Sequence, residues 1–479
     1  MRLRYLMPVL GLSSLVAIAC TESEPGEGGG EAGEEAMGGG GSGPGPGPGG
    51  SGGSAGEDTG SGGGCAEEGT GTLKVEITGL PAGVTPEILI EGPGAPLAPV
   101  ESGDLEDVDA GEFTVTVGRA FDEDPIVRTV FEPSITSTEF CLADGGSQTI
   151  EIEYTAIPSS NKLWMPTDQD VQLAGFTSNA IAETGITDGS ALISSPVGRA
   201  VAFDRDGNLW TFGATLAEAQ VLRLPVASLG ETGEVAPDVE FNVPEVECIV
   251  AMRSMAFDMS GNLWLSVCGD EIHRIPAEEL EVSGDKASDA LFNAVTDNQG
   301  IAFDADGNLW SATAMGLVRF DAARLGEVDA DPPDLTLAVT AAGTPTTPFE
   351  ASHLAFDTNG NLWGVDFGAN AIFQIAAADL GGTGEVEVEA AVSFVVGVSA
   401  LVNTPAFDDG GGLWIGLANT AEGGTFGRFS PEQLTMSGDT GAPVTPETLI
   451  TSLSVGADLP VAFFPAAEGL PLFHALPEP

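Results

Sequence analysis

The chain has 479 residues, and its 72 Asp and Glu against 15 Lys and Arg leave a formal net charge of −57. That balance excludes nucleic acid and anionic membrane surfaces as partners held by bulk charge. The 67 glycines keep no three-residue period, which excludes collagen.

The first predicted segment is a targeting one. Met1 to Arg4 is basic, and Tyr5 to Ala17 is apolar but too short for a membrane span. Ala17-Ile18-Ala19-Cys20 follows. This resembles a bacterial lipoprotein signal, with Ala17 standing where the usual pattern prefers leucine. The resemblance implies that residues 1–20 are signal peptide and lipobox, and that Cys20 becomes an acylated N-terminus. Thr21 after the cysteine implies, by the same resemblance, the outer membrane.

Residues 21–70 are rich in Gly, Glu and Ser, lack Lys and Arg, and hold almost no large apolar side chain. Such a composition cannot offset the entropy of ordering, so a disordered acidic tether is expected. About 45 residues of this kind have a root-mean-square span of about 35–40 Å.

Residues 71–157 carry short alternating runs: TLKVEI (Thr72 to Ile77), EILIEG (Glu87 to Gly92), EFTVTV (Glu112 to Val117) and QTIEIEY (Gln148 to Tyr154). Alternation separated by Gly and Pro turns predicts half-buried strands and a small β-sandwich. The run resembles PEGA-like or carboxypeptidase-regulatory modules, which implies a spacer or adhesion element.

Residues 158–479 are a repeat region. AFDRDGNLW (Ala202 to Trp210) returns as AFDMSGNLW, AFDADGNLW, AFDTNGNLW and AFDDGGGLW, ending at Trp264, Trp310, Trp363 and Trp414. A half-copy surrounds Trp164, and VAFFPAAEGLPLF closes the chain from Val461. The six tryptophans are spaced 46, 54, 46, 53 and 51 residues apart. A period near 50 with strand and turn signals predicts propeller blades. Six tryptophans predict an all-β, six-bladed β-propeller, with VAFFPA pairing with KLWMP to latch the ring. Seven blades are the alternative if Gly469 to Phe473 forms its own strand.

Within a copy, the small alanine suits a crowded axis. Gly and Asn suit a turn that needs positive φ, and the aspartate suits an Asx cap on turn amides. The phrase resembles NHL-type propellers and the group of virginiamycin B lyase and gluconolactonase-like proteins. That group spans enzymes, binding platforms and sensors, so the resemblance implies fold more than activity.

Four cysteines remain beside Cys20, with three possible pairings. Cys65–Cys141, flanking the sandwich, and Cys248–Cys268, within one repeat, are the predicted disulfides for an oxidising compartment. The turns at Asp204-x-Asp206 and Asp304-x-Asp306 look like calcium-loop fragments, but the third position drifts to Ser260, Asn359 and Gly410. A full loop needs further oxygen ligands, so structural turns are expected and no cofactor, loose calcium binding being the alternative.

Three residues before each repeated alanine stand Arg199, Arg253, Gln299, Ser352 and Asn403. In related propellers this position opens onto the central channel. The candidate binding set is therefore Arg199 and Arg253 clamping a small anionic or polar ligand, with Gln299, His353, Asp366 and Asn403 around them. The histidines are three, and no nucleophile elbow, zinc-protease or phosphate-loop motif occurs. The preferred reading is a membrane-anchored envelope lipoprotein whose propeller is a non-catalytic platform for a small ligand or an envelope protein. A metal-assisted lyase or lactone hydrolase at the channel mouth is the alternative.

Overall fold

The computed structural model describes Cys65 and most residues from 69 to 472. Residues 123–128, 195–199, 245–253, 268–270, 293–297, 399–403, 437–442 and several other short stretches lie outside the described set. Cys20, Arg199, Arg253, Asn403, Cys248 and Cys268 are among those outside it. No helix of the described residues is long and apolar enough to cross a membrane.

The N-terminal module is built of two sheets around one core. The larger sheet orders its strands Gly103–Asp109, Thr70–Thr78, Ser147–Ile157, Val130–Ile135 and Ala120–Phe121; the smaller orders Glu87–Glu91, Gly111–Gly118 and Glu139–Leu142. The alternation read in the sequence is the burial pattern seen: Ile88 and Ile90 point inward while Glu87, Leu89 and Glu91 are exposed. Leu73, Val75, Ile88, Phe113, Ile150 and Tyr154 share the core. Cys65 and Cys141 are disulfide-bonded, with Cα atoms 5.8 Å apart.

The repeat region forms six further sheets among the described residues. Sheet one holds Leu163–Pro166, Gln172–Phe176 and Ala191–Ser194. Sheets two to six each begin on the AF dipeptide of a repeat, at Val201–Phe203, Ser254–Phe257, Ile301–Phe303, Ala351–Phe356 and Ala406–Phe407. In each of these five the tryptophan-bearing strand pairs antiparallel beside it, so that the repeated Ala and Trp face each other across the ladder (Ala202 with Trp210, Ala406 with Trp414). Sheet one has the same pairing, but its innermost strand is Ala462–Phe463 from the chain end, with Ala462 opposite Trp164. The arrangement is a β-propeller.

The Phe of each AF pair explains why the aromatic residues recur together. Each tryptophan meets the Phe of the next sheet edge to face. Trp210–Phe257, Trp264–Phe303, Trp310–Phe356, Trp363–Phe407 and Trp414–Phe463 have centroids 6.0–6.3 Å apart and interplanar angles of 66–73°. Trp164 and Phe203 share one buried cluster at the remaining junction. Such pairs contribute about 0.5–1.5 kcal/mol each beyond the area they bury.

A second lacing runs along the outer edges, which would otherwise be unpaired. A segment ahead of the outermost strand of one sheet pairs, in parallel, with the outermost strand of the preceding sheet. Gly233–Glu234 joins Ala191–Ser194, Gly384–Glu389 joins Leu335–Ala341, and Val444 bridges Val396. Gly185–Ile186 of sheet one joins Thr448–Ser452 of sheet six, so the ring closes at its rim as well as at Ala462–Phe463. From Gly469 to Leu472 the chain is turn and coil, adding no strand.

Candidate functional site at the central cavity

The repeated turn carries the chemistry of its own folding. Asp204 Oδ1 accepts from the amides of Asp206 (3.0 Å) and Asn208 (2.9 Å). Its Oδ2 accepts from Asn208 Nδ2 (3.0 Å) and Trp210 Nε1 (2.8 Å). Asp258, Asp304 and Asp357 repeat all four bonds. The turn glycines at 207, 261, 307, 360 and 411 take φ of 75–84°, which an L side chain resists. The Asn Oδ1 in turn accepts the first amide of a short 3-10 helix, as from Val226 to Asn208 and Ala277 to Asn262. Burial pushes the Asp204 carboxyl above its ordinary value, against the pull of the Trp210 and Asn208 hydrogen bonds. These carboxylates are committed to turn and indole donors. Among the described residues no group of three His, Cys, Asp or Glu is placed to hold a metal ion.

The arginines of the third strands are likewise structural. Arg223, Arg274 and Arg319 lie 5.6–5.8 Å above the rings of Trp210, Trp264 and Trp310. Each reaches the next sheet: Arg223 to Glu281, Arg274 to the Leu325 carbonyl, Arg319 to the Leu380 and Gly382 carbonyls. Their role is not visible in the sequence, because cross-strand register does not show in linear spacing.

The fifth copy varies the device. Gly412 replaces the asparagine, and Arg428 donates to Asp408 in its place. A Cβ at Gly412 would collide with the Arg428 guanidinium. Burial opposes the Arg428 charge, but Asp408 and Glu447 more than offset it and hold the guanidinium above its ordinary value.

The inner strands of all six sheets enclose a cavity of about 100 Å³, walled by the repeated Ala and Phe residues. Alanine is what lets six strands converge without closing the axis. At the turn side, Ala466, Leu470, Pro471 and Leu472 of the chain end line the same cavity. The Glu468 amide donates to Asp409 Oδ1 (3.1 Å), tying that segment to a repeat turn.

Of the predicted mouth residues, Gln299 and His353 belong to the inner-strand segments of sheets four and five, and Arg199, Arg253 and Asn403 lie outside the described residues. Gln299 precedes the inner strand of sheet four, its amide on the Ala312 carbonyl (2.9 Å) and its own carbonyl accepting from Ser266 Oγ (2.8 Å). Asn298 beside it is buried and donates to the Val267 and Glu271 carbonyls. His353 is buried on the inner strand of sheet five. Sheets four and five approach closely here, since a Cβ on Gly300 would stand 2.7 Å from His353 Cα. Gln299 and His353 are thus brought to one junction. Asp366 is different: its carboxylate accepts from the amides of Glu350 (2.8 Å) and Ala369 (2.7 Å) and braces its own sheet.

No family model and no curated protein matches the chain. Solved structures resemble it remotely. A protein of unknown function from Bacteroides caccae is 10% identical over 64% of this chain and 99% of its own, with a TM-score of 0.42. Virginiamycin B lyase from Staphylococcus aureus is 14% identical over 64% of this chain and 88% of its own, TM-score 0.36. The extracellular domain of a one-component system from B. thetaiotaomicron is 14% identical over 68% of this chain and 41% of its own, TM-score 0.33. Likenesses this distant assign no activity.

Proposed function

We propose that the chain is a lipid-anchored envelope protein, held through Cys20, that presents a six-bladed propeller behind a small β-sandwich as a binding platform. Its ligand is a small anionic or polar group, or an envelope protein bearing one, taken at the central mouth without chemical turnover. One observation carries this reading. The repeated Asp and Asn are committed to the turn and indole of their own sheet, and the Trp rings and third-strand arginines to contacts with the next sheet. The positions that change from copy to copy are, in the sequence, Arg199, Arg253, Gln299, Ser352 and Asn403, three residues before each repeated alanine; of the two described, Gln299 just precedes an inner strand and Ser352 lies within one. Ligand selectivity belongs where the repeat does not dictate the residue.

The test is a thermal-shift and calorimetric screen of the purified chain against carboxylates, phosphates, sulfated sugars and acidic peptides. A hit is expected to weaken at least tenfold in Arg199→Ala and Arg253→Ala. Binding that both variants leave unchanged refutes the clamp. Mass spectrometry of the envelope-extracted protein checks the anchor, an N-terminus at acylated Cys20 being expected and an intact Met1 to Ala19 segment refuting it.

A further inference from the structure

Sheet three contains a polar cluster that the repeat does not require. His273 stands on the strand Ile272–Ile275, opposite Leu265. The residues in the same register of sheets two, four and five are Leu222, Val318 and Phe373. An apolar side chain therefore satisfies the packing, and a histidine that is 1% exposed adds a desolvation cost there. Its ring is held at both nitrogens. Nδ1 lies 2.6 Å from Ser288 Oγ, and Nε2 lies 3.1 Å from Glu271 Oε2.

Chemistry fixes the direction of these bonds. An ionised carboxylate only accepts, so the ring proton sits on Nε2 and is donated to Glu271. Nδ1 is then a bare acceptor, and the Ser288 hydroxyl donates to it. A hydroxyl bonded to an imidazole that a carboxylate orients is the arrangement of an activated nucleophile. Ser288 is half-buried just ahead of the outermost strand Ala290–Phe292, and the Glu271 side chain is 41% exposed. The cluster thus reaches solvent at the rim of the sheet.

We propose that Ser288 is a nucleophile toward small activated esters, with His273 as its general base and Glu271 as the positioning residue. Ser288 Oγ bonds to the ester carbonyl carbon while its proton passes to His273 Nδ1. The bond from that carbon to the alcohol oxygen then breaks, and the alcohol leaves with the proton. Water repeats the sequence on the acyl-serine, releasing the carboxylic acid and restoring Ser288. The site is separate from the central mouth, and its failure leaves the binding reading intact.

The experiment treats the full chain with a fluorophosphonate, in which Ser288 Oγ displaces fluoride from phosphorus. Peptide mapping and the rate of mass gain are followed in wild type, Ser288→Ala, His273→Gln and Glu271→Gln. One adduct on Ser288 is expected, absent in Ser288→Ala. Its rate should fall about 100-fold in His273→Gln and about tenfold in Glu271→Gln. Glu271→Gln changes an exposed side chain and keeps the fold, so it decides the matter if His273→Gln does not fold. No adduct on Ser288, or an adduct formed at the wild-type rate in Glu271→Gln, overturns the proposal.

Discussion

Sheet one supplies an internal control for the bond that recurs through the ring. Trp264 and Trp164 are both fully buried and each faces a repeated alanine. Trp264 Nε1 donates to the buried Asp258 at 2.8 Å. In sheet one the chain end places Phe464 where the other copies have aspartate, and Trp164 Nε1 has no partner among the described residues. Changing each tryptophan to phenylalanine removes similar apolar area and leaves a similar void, so those costs largely cancel in the comparison. What differs is polar. Trp264→Phe loses a hydrogen bond to a charged acceptor, about 1.5–3 kcal/mol, whereas Trp164→Phe removes a buried unpaired donor that costs about 1–3 kcal/mol to keep. Trp264→Phe should therefore be the less stable variant by about 3 kcal/mol. For a unit of about 320 residues, at about 2.1 cal/mol/K of unfolding entropy per residue, that is about 4–5 °C in Tm. Thermal unfolding followed by circular dichroism reads the difference directly. Equal losses in the two variants would refute the idea that the Asp–Trp bond, rather than the ring alone, holds each sheet.

Three other outcomes follow from the same geometry. Gly412→Asn, which restores the asparagine of the other copies, should destabilise by about 1–3 kcal/mol through collision with Arg428. The double variant with Arg428→Gln copies the Asn361 and Gln374 pair of sheet five and should recover most of the loss in urea unfolding. Gly300→Ala should cost a similar amount, because the new methyl meets the His353 backbone across a sheet junction. In the N-terminal module, burial pushes the Tyr154 phenol up to about 12, with the Glu87 charge adding to it and a backbone hydrogen bond opposing. A raised folded-state value means that its stability contribution is complete below pH 10 and is lost as pH climbs from 10 towards 12. Tyrosinate absorbance reads this cleanly, since the sequence has only two tyrosines, and a midpoint near 10 in the folded protein would contradict it.

The sequence exposes the features that repeat at near-constant spacing and hides those set by register. The AFD-to-Trp phrase keeps one hairpin length, so strand, turn and facing Ala–Trp pair are readable from it. The arginine opposite each tryptophan is not, because the second hairpin varies. Trp210 faces Arg223, Trp264 faces Arg274, Trp310 faces Arg319 and Trp414 faces Arg428, at offsets of 13, 10, 9 and 14 residues. The edge strand Gly384–Glu389, written GEVEVE, is exposed along nearly its whole length, and only the short Val386 and Val388 face marks it in the sequence. Its place is fixed by the open edge of the neighbouring sheet. At the candidate site, the polar start of the inner strand was legible for Gln299 and His353, which share a junction. The closeness of Asp366 to Trp363 suggests the same role for it, yet its oxygens accept from the amides of Glu350 and Ala369.

The division between repeated and unrepeated residues has a physical cause. A ring of similar sheets needs the same turn bonds in every sheet and the same ring contacts at every junction, so the residues that make them must recur with each sheet. The departures show how narrow the alternatives are: Gly412 comes with Arg428 turned onto Asp408, and the Phe464 copy leaves an indole unbonded. Each departure is compensated locally or tolerated once. A residue such as His273, which departs without any junction needing it and is then held at both nitrogens, has no such origin. That contrast separates side chains that keep the ring together from those left available for chemistry or recognition.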